Sequence, residues 1–363
     1  MTTLPDLAPW LQIEPYSMDA RHKQQALAGA LRELTQWHRE RCPEYERMLR
    51  LLGDHGAGAR TIEGIPYLPA RVFKEFDLLS VPREQVFKTM TSSGTSGQQV
   101  AHIYLDRDTA AVQGKVLARL MAQRMGVRRR PMLIIDSAAV LRNRQAFSAR
   151  AAAILGFSMF GSDVTYALDE AMQPDWPAIE GFVSRHADEP VLVFGFTFIV
   201  WQHFYLALKS QGRRLALDQG MLLHGGGWKK LQDDAVDPSA FRAAMHECAG
   251  LAQVVNYYGM VEQTGAIHLE CEHGHLHAPV HADVIVRSPS DFRPLGVGED
   301  GLIEVVSLLP RSYPGQALLT EDVGRIEGVD DCPCGRLGRY FSVAGRVARA
   351  EVRGCSDTYE QPV

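Results

Sequence analysis

Basic residues are not in surplus: 38 Lys and Arg stand against 43 Asp and Glu, a formal charge of -5 over 363 residues. A protein that grips phosphate backbones ordinarily carries a basic excess, so neither DNA nor RNA is expected as a partner. No apolar run is long enough to span a bilayer. The longest, Pro190 to Trp201, falls well short of the ~20 residues a membrane helix needs and reads as a buried strand. The opening residues, MTTLPDLAPW, lack the basic start and apolar stretch of a secretory signal. Cysteine is sparse, with 6 in the chain, which does not make the framework of a small disulfide-stapled domain. The expected setting is therefore a reducing cytoplasm, where close-set cysteines bind metal or do chemistry.

What is present is the composition of an ordinary globular enzyme-sized chain, 46% hydrophobic and 22% charged, enough to bury a substantial core. Residues 19 to 52 repeat apolar positions at helical spacing (Leu27, Leu31, Leu34, Trp37, then Tyr45, Met48, Leu51), and Pro43 divides them into two amphipathic helices. Prolines hold 65–69 extended, residues 100–105 read as a strand and 109–125 as a helix. Apolar strand candidates recur at 131–136, 191–194, 221–224 and 252–256, separated by helix-length stretches, an alternation that argues for α/β architecture. From Gly265 onward the helical signal fades, and short strands at 267–269, 282–287, 301–306 and 324–326 predict a β-rich subdomain.

Three segments carry chemistry. Thr91 to Gly97 reads TSSGTSG: glycines let the backbone curl and hydroxyls add donors, a combination suited to phosphate oxygens, although it lacks the Gly-Lys-Ser/Thr ending of a P-loop. Asn256 to Glu262 reads NYYGMVE after an apolar strand, placing a ring able to stack on a purine one turn before a carboxylate able to hold Mg²⁺. Leu319 to Asp322 reads LTED, where an acidic strand end would accept ribose hydroxyls. Each segment alone also fits an ordinary loop or strand end. Their order, followed by Gly345 and Arg346, is what sets them apart.

In that order the motifs resemble those of the acyl-adenylate-forming superfamily, and more narrowly the chain resembles the LuxE acyl-protein synthetases, relatives of phenylacetate-CoA ligases. The likeness runs from about Leu68 to Asp357 and is densest in Phe87 to Gly97, Leu223 to Lys229, Tyr258 to His277, Leu308 to Tyr313 and Arg353 to Ser356. The resemblance implies a large α/β adenylate-forming domain over 1–345, with a β subdomain at about 266–345. A hinge and short C-terminal tail would fill 346–363. It implies ATP and Mg²⁺ as cofactors. Ser92, Ser93, Gly94, Thr95, Ser96 and Gly97 would wrap the phosphates, while Gly225, Gly226, Gly227, Tyr258 and Gly259 would line the adenine pocket. Glu262 would bind Mg²⁺, Asp322 the ribose, and Arg346 ribose or phosphate. The superfamily's C-terminal domain carries a lysine that contacts the α-phosphate, and the sequence stops shortly after Arg346. Lys229, in the glycine-rich segment, and Lys88, before the phosphate loop, are the in-chain candidates to take its place; each also fits an ordinary solvated surface lysine.

Cys355 stands in RGCSD with Arg349 and Arg353 nearby, and cationic neighbours raise a thiol's thiolate fraction. The resembled family carries its acyl-accepting cysteine in such a segment. Cys271 and His277, followed by Cys332 and Cys334, offer the soft thiolates and imidazole that tetrahedral Zn²⁺ prefers, with no position left open, so the site would be structural. Phenylacetate-CoA ligases look similar there. Cys42 and Cys248 lie in helical patterns and are expected to be buried. The expected function is ATP-dependent activation of a carboxylic acid, a fatty acid first, to acyl-AMP. Transfer to Cys355 and on to an acyl-accepting protein such as a reductase would follow. The run 191–199 would line an acyl pocket or be plain core. The alternatives are a ligase passing the acyl group directly to coenzyme A, and an inactive zinc-stabilised interaction protein of the same fold.

Overall fold

A computed structural model describes residues 2–54, 58–92, 100–142, 147–228 and 236–347. These fall into two compact units, one holding the described residues of 2–92, 100–120 and 259–347, the other those of 121–258.

The chain begins with α1 (Ala8–Gln12), α2 (Ala20–Arg41) and α3 (Pro43–Leu51). Asp19 caps α2 by accepting from the His22 N–H, and Leu27, Leu31 and Leu34 form its buried stripe. Pro43 opens α3 at its first turn, where a missing N–H costs nothing, so the division expected at that residue is observed. Cys42 is fully buried between the two helices rather than within either. There follow β1 (Leu68–Pro69), β2 (Val86–Thr91), β3 (His102–Asp106) and α4 (Arg107–Met125). β2 and β3 pair antiparallel.

The second unit alternates strand and helix. Its elements are β4 (Arg130–Ser137), β5 (Phe147–Ser148), α5 (Ala149–Ser158), β6 (Gly161–Leu168), α6 (Trp176–Arg185), β7 (Leu192–Phe196), α7 (Thr197–Ile199), α8 (Leu206–Ser210), β8 (Met221–Gly225), α9 (Pro238–Ala249) and β9 (Gln253–Tyr258). β6, β4, β7, β8 and β9 lie side by side in parallel. The order reverses at β4, the kind of switch point at whose carboxyl ends such sheets bind ligands. Strands covered on both faces read as unbroken apolar runs, and residues 132–135, 192–194 and 221–223 are all buried. The apolar run that reads as strand through Trp201 is strand only to Phe196; the chain then turns helical and passes through a π-helical stretch, Val200–Tyr205. Periodicity cannot separate strand from buried helix when every residue is apolar.

From Gly259 the chain turns to β10 (His268–Glu270), β11 (Leu276–His277), β12 (Ala282–Arg287), β13 (Gly301–Ser307), β14 (Ala317–Val329) and β15 (Arg339–Arg346). These run β12-β13-β14-β15-β11-β10, antiparallel throughout, with β1 added in parallel to β14. Buried charges brace this sheet: Arg287 pairs with the fully buried Glu304, and Lys23 of α2 donates to the Ala278 carbonyl at 2.9 Å and lies 3.5 Å from Asp283. Breaking either pair would leave an uncompensated buried charge.

Candidate active site and metal centre

The short turn Val261–Gln263 presents Glu262, half-buried, in the first unit. Burial lifts its carboxyl to about 7, with Asp322 adding to the rise while Lys74 and Arg346 oppose it, so the four side chains share one electrostatic neighbourhood. Asp322 on β14 faces Arg346, the last residue of β15, and accepts from its Nε at 3.1 Å. Thr320 steadies that strand end: its hydroxyl donates to the Ile303 carbonyl at 2.7 Å and accepts from the Asp322 N–H at 3.1 Å. Two acids and two cations close together are able to receive a polyphosphate and its counter-cation, the cations meeting phosphate oxygens and the acids the metal and hydroxyl groups. Ser92 pairs with Ala101: its N–H donates to the Ala101 carbonyl at 3.1 Å and its Oγ accepts from the Ala101 N–H at 2.8 Å. Ser93, Gly94, Thr95, Ser96 and Gly97 lie outside the described residues, as do Lys229 and Cys355. Lys88 is half-buried on β2, and burial lowers its pKa.

In the second unit the predicted residues collect at adjacent carboxyl ends, with Phe196 opposite Gly225 and Gly225 opposite Tyr257 in the parallel register. Gly225 has no room for a side chain, since a Cβ would stand 2.6 Å from the Tyr257 ring, and Gly226 adopts φ +79°. Thr197, which the sequence does not single out, holds this turn. Its hydroxyl donates to the Gly225 carbonyl at 3.2 Å and meets Nδ1 of buried His224 at 2.9 Å. With its one proton spent on that carbonyl, the hydroxyl accepts from His224 Nδ1–H. Burial holds the imidazole neutral by pushing its pKa down to about 3. Thr197→Val is expected to cost about 1–3 kcal/mol by stranding a buried carbonyl and imidazole, whereas Thr197→Ser stays near wild type; urea unfolding of both checks this.

The cysteines and histidine converge. Cys271 follows β10 and closes a tight turn, its N–H donating to the His275 carbonyl at 2.8 Å, with Gly274 at φ +82° making the reversal possible. His277 sits on β11 opposite Tyr340 of β15, and Cys332 and Cys334 lie in the β14–β15 connection. The four donor atoms are all within 4.8 Å of one another. Cys271 and Cys332 sulfurs are 3.9 Å apart, and Cys334 Sγ lies 3.4 Å from His277 Nε2. Tetrahedral zinc with ordinary bond lengths separates its ligands by about 3.8 Å, so the donor set fits the ion. A disulfide would require sulfurs about 2 Å apart. His275 Nδ1, 3.4 Å from Cys332 Sγ, is the neighbour that the sequence did not single out as a ligand.

An antiparallel β-rich unit joined in sequence to a parallel α/β unit is the architecture of the adenylate-forming ligases. A 2-hydroxyisobutyryl-CoA ligase bound to 2-HIB-AMP superposes with a TM-score of 0.72, covering 95% of this chain and 72% of that one at 16% identity. The profile described as acyl-protein synthetase, LuxE, matches residues 11–363, so the chain belongs to that family and is an acyl-activating ligase. The chain is 22% identical over 361 residues to the long-chain-fatty-acid–luciferin-component ligase of Vibrio harveyi, covering 96% of this chain and 90% of that protein. Its counterpart in Aliivibrio fischeri is 22% identical over 337 residues, covering 90% and 85%. A phenylacetate-coenzyme A ligase of Thermus thermophilus is 35% identical over 98 residues, a quarter of this chain and 22% of that one.

Proposed function

We propose that the chain activates a long-chain fatty acid with MgATP and passes the acyl group through Cys355 to an acceptor protein, of which an acyl reductase is the first candidate. The carboxylate oxygen attacks the α-phosphorus and pyrophosphate leaves with the broken P–O electron pair. The Cys355 thiolate then attacks the acyl carbonyl and AMP leaves. Such chemistry asks the protein mainly to align the reactants and neutralise spreading charge.

The observation that supports this most is the grouping of Glu262, Asp322, Arg346 and Lys74 in a chain matched by the family along residues 11–363, the Cys355 segment included. Glu262 takes the Mg²⁺, Asp322 the ribose, and Arg346 ribose or phosphate. Ser92 to Gly97 wrap the phosphates, and Gly225 to Gly227 with Tyr258 and Gly259 line the adenine. Lys229 is the candidate lysine to contact the α-phosphate and the substrate carboxylate. Residues 1–345 form the adenylate-forming domain and 346–363 the hinge and tail. The fatty-acid choice draws on the names of the Vibrio and Aliivibrio relatives. Cys271, His277, Cys332 and Cys334 hold a structural Zn²⁺. Among the described residues no helix is long and apolar enough to cross a membrane, and a cytoplasmic site of action is proposed with the reduced thiols.

The phenylacetate-coenzyme A ligase match favours a second reading, direct transfer to coenzyme A. The two part at Cys355→Ser. With radiolabelled fatty acid and MgATP, the wild type is expected to hold label through gel denaturation, while the variant still forms acyl-AMP and holds none. Full turnover to acyl-coenzyme A by Cys355→Ser would instead establish the direct ligase.

A further inference from the structure

Glu262 projects from a three-residue turn, Val261–Gln263. The next residue supplies the anchorage. Gln263 is 1% exposed, and its amide nitrogen donates to the Val305 carbonyl at 3.0 Å and the Gly315 carbonyl at 2.8 Å. Val305 belongs to β13 and Gly315 to the connection leading into β14, so one side chain ties the turn to two separate stretches of backbone. Both amide protons are spent, and no apolar or acidic residue of that length supplies two donors.

Gly315 closes on the turn from the other side. A Cβ there would stand 2.9 Å from the Glu262 carbonyl oxygen and 2.4 Å from the Tyr313 ring. Tyr313 cannot retreat freely, being fully buried edge-on against Phe73 at 5.8 Å. The connection is itself pinned: Ser312 Oγ donates to the Tyr104 carbonyl at 2.8 Å, and the Gln316 amide donates to Tyr45 Oη at 2.6 Å and Thr35 Oγ1 at 3.1 Å.

We infer that Gln263, seated against the Gly315 backbone, is a positioning residue that aims the Glu262 carboxylate at the cation of MgATP. The inference rests on the reading of Glu262 as the carboxylate that meets that cation. Partners one shell out from a metal ligand typically govern affinity by about 10–100-fold, because a ligand free to wander pays for its own ordering on binding.

Calorimetric binding of ATP to the full chain across a Mg²⁺ series tests this without knowledge of the acid. Gln263→Met is expected to need at least about tenfold more Mg²⁺ for half-saturation, with metal-free ATP binding unchanged. Gln316→Met strips two donors from a neighbouring buried amide that faces α2 and α3, and should lose comparable stability while keeping the wild-type Mg²⁺ dependence. A wild-type Mg²⁺ curve for folded Gln263→Met, with Glu262→Gln shifted, overturns the positioning role. A wild-type curve for Glu262→Gln itself overturns the inference through the reading beneath it. Should Gln263→Met not fold, Gly315→Ala presses on the same turn from outside: a shifted Mg²⁺ curve supports the inference and an unshifted one overturns it.

Discussion

Glu262→Gln is expected to lower acid-dependent ATP–pyrophosphate exchange by on the order of 10²–10³-fold, while making the ligand-free protein harder to unfold at pH 8. Loss of activity and gain of stability in one substitution follow from the same cause. The carboxyl stands where burial and Asp322 disfavour its charge and where Lys74 and Arg346 compensate only in part, so it ionises near 7 rather than at its usual 4.5. A folded-state pKa raised above the unfolded one means that the contribution is favourable at low pH and is lost as pH rises through about 7. At pH 8 the ionised group opposes folding by on the order of 2–3 kcal/mol, which the neutral amide does not. The difference in melting temperature between variant and wild type should therefore be near zero at pH 4 and grow to a few degrees by pH 8. Glu304, also raised to about 7 by burial beside Arg287, titrates in both proteins and cancels from the difference. Saturating MgATP should erase the gap, since a bound cation supplies the charge that the empty site lacks. A variant that melts below the wild type at pH 8, or that exchanges pyrophosphate at the wild-type rate, removes Glu262 from the role assigned to it.

The parts of this site legible in the sequence were those whose chemistry repeats locally. Tyr258 to Glu262 announces a strand end followed by a carboxylate, and the strand ends at Tyr258. The helices on either side of Pro43, the strands at 130–137 and 221–225 and the antiparallel C-terminal strands came from periodicity and turn residues. What local pattern cannot carry is pairing across distance. Lys74 stands in an unremarkable turn and matters because it approaches Glu262 in space. Thr197 lies inside an apolar run whose strand ends one residue earlier, and only the parallel register of β7 with β8 brings it to Gly225. β6 and β15 were missed for a related reason: the pattern GSDVTYAL is too polar for a buried strand, and RYFSVAGR too irregular for an alternating one, until their neighbours are known.

If the Cys271, His277, Cys332 and Cys334 cluster holds zinc as proposed, removing it is expected to have the largest effect on stability, several kcal/mol or more. The cluster joins two elements: the turn closing β10 onto β11, and the connection between β14 and β15. Without a cation, burial and the neighbouring thiols push the Cys332 thiol up to about 12, so that ligand is protonated at neutral pH and must release its proton to bind. Zinc affinity should accordingly weaken as pH falls, and a chelator should strip the metal more readily at pH 6 than at pH 8. Purified protein is expected to contain one zinc per chain by elemental analysis; Cys332→Ser should contain far less, melt lower, and no longer respond to chelator. β14 and β15 remain paired from Val329 and Arg339 near the cluster to Asp322 and Arg346 at the opposite end. Metal loss should therefore weaken ATP binding only under conditions where that pairing itself melts, and calorimetry of the stripped protein at 10 °C and at 35 °C would separate the two effects. If ATP binds normally at both temperatures and the melting curve ignores the chelator, the four residues are ordinary buried side chains rather than a metal centre.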